Sequence, residues 1–138
     1  MRHCNARFLL LTAAIAVAMA ACQESLDQKA AHEALMFTQK NCPARMSDNL
    51  TIDSMVFEPA THTLHYYYTL TAPADSVGLF GETLRKVLLT DLKNTTALMA
   101  YKEAGYQFAY TYYSEQEPGL VLFEAIFNEK DYGQKQSE

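Results

Sequence analysis

Two alternating runs constrain this chain more than anything else in it. Residues 63–71 (Thr-Leu-His-Tyr-Tyr-Tyr-Thr-Leu-Thr) and 106–114 (Tyr-Gln-Phe-Ala-Tyr-Thr-Tyr-Tyr-Ser) are rich in aromatic and β-branched side chains and repeat with period two. In the first, Leu64, Tyr66, Tyr68 and Leu70 share one face, and Thr63, His65, Tyr67, Thr69 and Thr71 share the other. In the second, Tyr106, Phe108, Tyr110 and Tyr112 alternate with Gln107, Ala109, Thr111 and Tyr113. The chain has nine tyrosines and no tryptophan, and these runs hold most of the tyrosines. Both runs predict strands with one apolar face turned to a core.

Each run has a neighbour in sequence. Residues 50–57 predict a strand, with Leu50, Ile52 and Val56 pointing one way and Met55 and Phe57 the other. The Glu58–His62 segment, with Pro59, is a turn, so 50–57 and 63–71 predict an antiparallel hairpin. Pro118-Gly119 turns the chain into a fourth strand, 120–128, which is apolar on both faces apart from Glu124.

Helical spacing fills the rest. Ser25 with Gln28 forms a capping box ahead of a helix over 25–40. Leu26, Ala30, Ala34 and Phe37 make its apolar stripe, with Ala31 and Leu35 beside them. Pro43 ends that helix and pushes Cys42 towards an extended conformation. After the linker Ala72–Ser76, a second helix runs over 77–93 with Phe80, Leu84, Val87, Leu88 and Leu92 buried. Asn94-Thr95-Thr96 interrupts it, and a shorter helix over 97–104 stops at Gly105. The order α-β-β-α-β-β predicts an α+β two-layer sandwich. Its four-stranded antiparallel sheet carries helices on one face and leaves the other open.

The start of the chain has a different character. Arg2 and Arg7 precede an apolar run from Phe8 to Met19, broken only by Thr12. The run is about twelve residues, and a bilayer-spanning helix needs roughly twenty. This is the layout of a secretory leader. Met19-Ala20-Ala21-Cys22 resembles the lipobox of bacterial lipoproteins, although Met19 stands where that family prefers Leu. The resemblance implies cleavage before Cys22, lipidation of Cys22 by palmitate-type chains, and attachment to a cell-envelope membrane. One acyl chain binds membranes marginally and several anchor stably. Gln23, rather than Asp, follows the cysteine, which in enteric-type lipoproteins would permit transfer to the outer membrane. Cleavage after Ala20 or Ala21 would instead release a soluble secreted protein. The expected organisation is a leader over 1–21, one domain over 22–132 and a disordered tail over 133–138.

Charge and cysteine usage narrow the function. The formal charge is −5, and losing Arg2 and Arg7 with the leader takes it to −7. Such a surface repels phosphate backbones and excludes nucleic acid as a partner. Cys4 leaves with the leader and Cys22 is lipidated, so Cys42 has no partner for an internal disulfide. It is expected to be a buried, unreactive thiol, with no basic cluster to stabilise a thiolate.

No constellation selects an enzyme. The sequence holds no Gly-rich phosphate loop and no nucleophile elbow, and Ser47, Ser54, Ser76 and Ser114 lack signatures around them. Glu115, Glu117, Glu129 and Asp131 are scattered. His62 and His65 are three apart, which on a strand separates their faces, so no metal is expected and both are read as solvent-exposed. No cofactor is expected. Alternation sends Tyr67 and Tyr113 to the face opposite the core, where tyrosine suits interfaces. They are the candidate binding residues. The expected function is a non-enzymatic, membrane-anchored envelope lipoprotein that binds an envelope protein or small ligand. The alternative is an inhibitor or immunity-type protein whose acidic surface blocks a basic envelope hydrolase.

Overall fold

The computed structural model of the protein describes residues 24–71 and 81–133. Helix α1 (Leu26–Asn41) starts where the capping box lies. The Gln28 amide donates to Ser25 Oγ at 3.1 Å, and the Ser25 amide donates to Gln28 Oε1 at 3.0 Å. Cys42 is extended ahead of Pro43, as the proline requires. Strands β1 (Ala44–Ser47), β2 (Leu50–Glu58) and β3 (Thr63–Leu70) follow. Next come α2 (Gly81–Asn94), a 3-10 turn (Thr96–Leu98) and α3 (Met99–Glu103). Strands β4 (Gln107–Ser114) and β5 (Val121–Phe127) and a short α4 (Glu129–Tyr132) complete the order. The leader with Cys22, the Ala72–Ser76 linker, the expected helix start over 77–80 and residues 134–138 lie outside the described residues.

The α+β class and the helix-covered face are as expected, but the sheet is not. It has five strands, ordered β1-β2-β3-β4-β5, and β3 pairs with β4 in parallel. β1 adds an antiparallel edge that only four residues encode. The parallel pair arises because the helical segment carries the chain back across one face before β4 begins, which any parallel connection needs. In-register parallel pairing then aligns the apolar faces of the two runs. Tyr66 stacks on Tyr110 at 5.3 Å between ring centroids, and Tyr68 on Tyr112 at 4.7 Å. Burial pushes the Tyr68 phenol up to about 12 and the Tyr66, Tyr110 and Tyr112 phenols further, so the ladder stays neutral.

Two further expectations fail for local reasons. Plain alternation puts Val56 on the face of Leu50 and Ile52, yet it is exposed, while Leu50, Met55 and Phe57 pack on the core with buried Ile52. A bulge between Ile52 and Ser54 inserts one residue, Asp53, and inverts the alternation beyond it. Val87 is half exposed on α2, where Leu84, Leu88, Leu89 and Leu92 pack inward.

Helix α2 is held by a group that no local pattern reveals. Lys102 on α3 is 9% exposed, and its ammonium donates to the carbonyls of Leu92, Lys93 and Thr95 at 2.9–3.0 Å. Three donors meet three acceptors at and just beyond the negative end of a helix dipole. Helix α1 is held by tyrosine hydroxyls: Tyr101 donates to Glu33 at 2.6 Å, and Tyr106 donates to Asp27. The Tyr106 bond, and then His62 at 2.9 Å, hold the Asp27 carboxyl below its usual range against some desolvation.

Lys102→Met keeps the apolar stem and deletes the cap. It should lower the stability of the domain by about 1.5–3 kcal/mol, read as a lower urea midpoint at unchanged slope. A depressed folded carboxyl stabilises above its unfolded pKa and ceases to do so as pH falls through the folded value. Tyr106→Phe should therefore raise the Asp27 pKa in an NMR titration. It should also flatten the loss of stability that wild type shows on acidification below about pH 4.

Candidate functional site

With the helices on one side of the sheet, the alternate residues of β3 and β4 face the other way. Thr63, Ala109 and Thr111 are small and buried, and form a floor. His65 reaches across that floor from β3 to β4. Its Nε2 lies 2.8 Å from Thr111 Oγ1 and its Nδ1 lies 2.8 Å from Glu58 Oε1. The Tyr67 hydroxyl is 3.0 Å from Nδ1, and the Tyr67 ring stacks on the imidazole at 4.1 Å. Tyr113 lies parallel to Tyr67, with centroids 6.3 Å apart. The two candidate binding residues are thus brought together, half-buried, on the face that carries none of the described helices.

His65 departs from its expected place. Its side chain is 12% exposed, because the parallel register sets it against Ala109 and sets Tyr67 against Thr111. His62 does lie exposed in the turn, at φ 49°, where its Nδ1 meets Asp27 Oδ1 at 2.9 Å. The Glu58–His65 pair had a readable signal, since a hairpin that pairs Glu58 with Thr63 places His65 diagonally beside it. The Thr111 contact had none, because it depends on how the two hairpins abut.

Glu58, His65 and Thr111 follow the carboxylate–imidazole–hydroxyl order of a nucleophile triad, and the chemistry decides against that role. Thr111 is 3% exposed in the middle of a central strand, whose backbone amides are committed to ladders on both sides. No amides are left there to hold a developing oxyanion. The network instead fixes the Tyr67 ring. Burial first, and then the charge of Glu58, the neighbouring Tyr113 and the charge of Glu124, push the Tyr67 phenol above its ordinary value. The face therefore presents the neutral Tyr67 hydroxyl among carboxylates, including Asp53, which accepts from Thr69 at 2.7 Å.

A second concavity lies where α1 crosses β2. Ala31, Leu35, Thr38, Met55, Val56 and Phe57 line an open apolar groove of about 260 Å³. Among the described residues, short β1 leaves this part of β2 without a strand neighbour on the edge away from β3, and Thr38 Oγ1 donates to the Met55 carbonyl and accepts from its amide, both at 2.8 Å.

The remaining candidates do not converge. Glu115 and Glu117 are exposed, while Asp131 caps α4 and lies 3.9 Å from Arg85. Cys42 is a free thiol raised by burial and then by the charge of Asp53, which disfavours the thiolate. Among the described residues no group of three or more His, Cys, Asp or Glu side chains is placed to hold a metal ion. None of their helices is long and apolar enough to cross a membrane.

This architecture has solved counterparts. The chain is similar to a protein of Pseudomonas aeruginosa described as secreted (PA3611), with TM-score 0.63 and 11% identity, covering 80% of this chain and 99% of that one. It is similar to the type 2 secretion system pilotin EpsS of Vibrio vulnificus, with TM-score 0.64 and 10% identity, covering 80% and 94%. It is also similar to the type II secretion system pilotin AspS of Vibrio cholerae, with TM-score 0.58 and 12% identity, covering 83% and 98%. At these identities the likeness is one of fold. No curated protein matches the sequence. A family model does match it over residues 25–123, which span α1 to β5, and the chain therefore belongs to the family described as Domain of unknown function (DUF8479).

Proposed function

We propose that the protein is a cell-envelope lipoprotein, anchored through Cys22, whose domain is a non-enzymatic binding module for an envelope protein. The stacked Tyr67–Tyr113 pair carries this reading. It is a rigid, half-exposed aromatic platform on a sheet face that no described helix covers. Tyrosines held in this way add contact area without much ordering entropy. Two of the similar folds are pilotins, components of secretion systems, and the third is described as a secreted protein. That favours an exported, partner-binding role. Only Gln23 and Glu24 separate Cys22 from the Ser25 cap, so a lipid on Cys22 would hold the domain within about 10 Å of the headgroups. Confinement to one surface raises the effective concentration of any partner there.

The inhibitor reading rests on a separate observation. Residues 115–120 are all exposed, and Ser114 Oγ accepts from the amides of Gln116 and Glu117 at 3.1 and 3.0 Å. The loop therefore presents Glu115 and Glu117 in a fixed shape.

In the native host, Cys22→Ser should abolish incorporation of labelled palmitate and move the protein from the membrane to the soluble fraction. Unchanged labelling would remove the anchor from this account. The pair Tyr67→Ala and Tyr113→Ala should lose the partner recovered by in-cell cross-linking while keeping the far-UV spectrum and a cooperative melt. Retained cross-linking to that partner would refute the tyrosine face, and its selective loss in Glu117→Lys would favour the inhibitor reading.

A further inference from the structure

We infer that β5 is a strand-addition site, taking an extended partner segment that has a lysine or arginine flanked by apolar residues. This rests on the binding-module reading and names the partner's chemistry and pose. β5 is the last strand of the sheet, and among the described residues no backbone pairs with its outer edge. Such an edge is a template for another strand unless it is blunted by lysine, proline or brevity. Here it runs seven residues, Val121–Phe127, without lysine or proline, and its one bulge, at Leu122, leaves Phe123–Phe127 as a regular edge. On the open face it presents Val121 (44% exposed), Glu124 and Ile126 (49% exposed), an apolar–acidic–apolar stripe. Val121 pairs with Tyr113, so the stripe continues the aromatic platform.

Charge chooses the occupant. A second copy pairing its β5 antiparallel about a two-fold axis at the strand's midpoint would set Glu124 against Glu124. Like charges directly opposite destabilise a ladder. The formal charge of −5 adds to that repulsion. A basic residue in the same place is attracted by Glu124, while its neighbours two positions away cover the Ile126 side and, past the bulge at Leu122, the Val121 side. This is β-augmentation: backbone bonds supply affinity, and alternate side chains supply specificity.

The test uses the detergent-solubilised mature protein and two capped heptapeptides that alternate threonine and valine, one with a central lysine and one with a central glutamate. By fluorescence anisotropy at low salt, the lysine peptide should bind about five- to ten-fold tighter, the swing of one cross-strand charge pair. Glu124→Lys should reverse the order, an exchange that a folding defect does not mimic. Amide hydrogen exchange across residues 122–126 should slow in the lysine-peptide complex. Binding without that protection, lost in the Tyr67→Ala, Tyr113→Ala variant, would overturn strand addition and leave the tyrosine platform standing. Protection of 122–126 that persists in this variant would support the edge and sink the platform. Absence of binding, or a peptide order unchanged by Glu124→Lys, would overturn the edge proposal.

Discussion

The parallel pairing of β3 with β4 is the contact on which the other features depend. It joins two hairpins that could each form locally, and it does so in a register that matches Leu64 with Phe108, Tyr66 with Tyr110 and Tyr68 with Tyr112. On the helix side this builds a ladder of stacked rings that α1 and α2 cover. On the other side the same register lays His65 across to Thr111 and brings Tyr67 beside Tyr113. Core and platform are two faces of one alignment, so a slip of one residue would lose both.

Tyrosine suits this sheet because each ring can bury its body and still satisfy its oxygen. At the perimeter of the core, Tyr101 and Tyr106 send their hydroxyls to Glu33 and Asp27, and Tyr132 donates to the Tyr106 and Lys102 carbonyls. These bonds tie α1 and α4 to the short α3 and the start of β4, where apolar area is small. Lys102 does the same for α2 through backbone carbonyls. In a small domain, a modest core leaves an important share of helix placement to such charge-assisted and phenolic bonds.

What could be read beforehand follows from the range of the interactions. The Ser25 capping box, the break at Pro43, the stop at Gly105 and the two tyrosine strands are local, and period or capping chemistry revealed each. The inward set Leu64, Tyr66, Tyr68 and Leu70 followed from alternation alone. The bulge at Asp53 was not visible, because nothing in Leu-Thr-Ile-Asp-Ser-Met demands an extra residue, and so Val56 was placed on the wrong face. β1 is too short to show a period. The parallel β3–β4 join, the burial of His65 and the cap made by Lys102 depend on residues distant in sequence or on how hairpins abut, which local patterns do not encode. The placement of Tyr67 and Tyr113 on the face opposite the described helices was legible. Their mutual stacking, which makes them a platform, was not.

In the proposed binding module, the two faces also separate stability from recognition. Leu64, Phe108, Ala125 and Phe127 are buried under helices, so substitutions there act on folding. Tyr113, Glu124 and Ile126 lie on the open face, where substitutions alter shape and charge while removing little core. Glu58 and His65 lie between these classes, since they cross the open face yet fix the ring of Tyr67. A sheet whose period-two pattern assigns one set of residues to folding and the alternate set to a partner can change its partner without renegotiating its core. Because the core face is fixed by the β3–β4 register, the proposed recognition would be altered most readily at Val121, Glu124 and Ile126, on the strand that pairs with only one neighbour among the described residues.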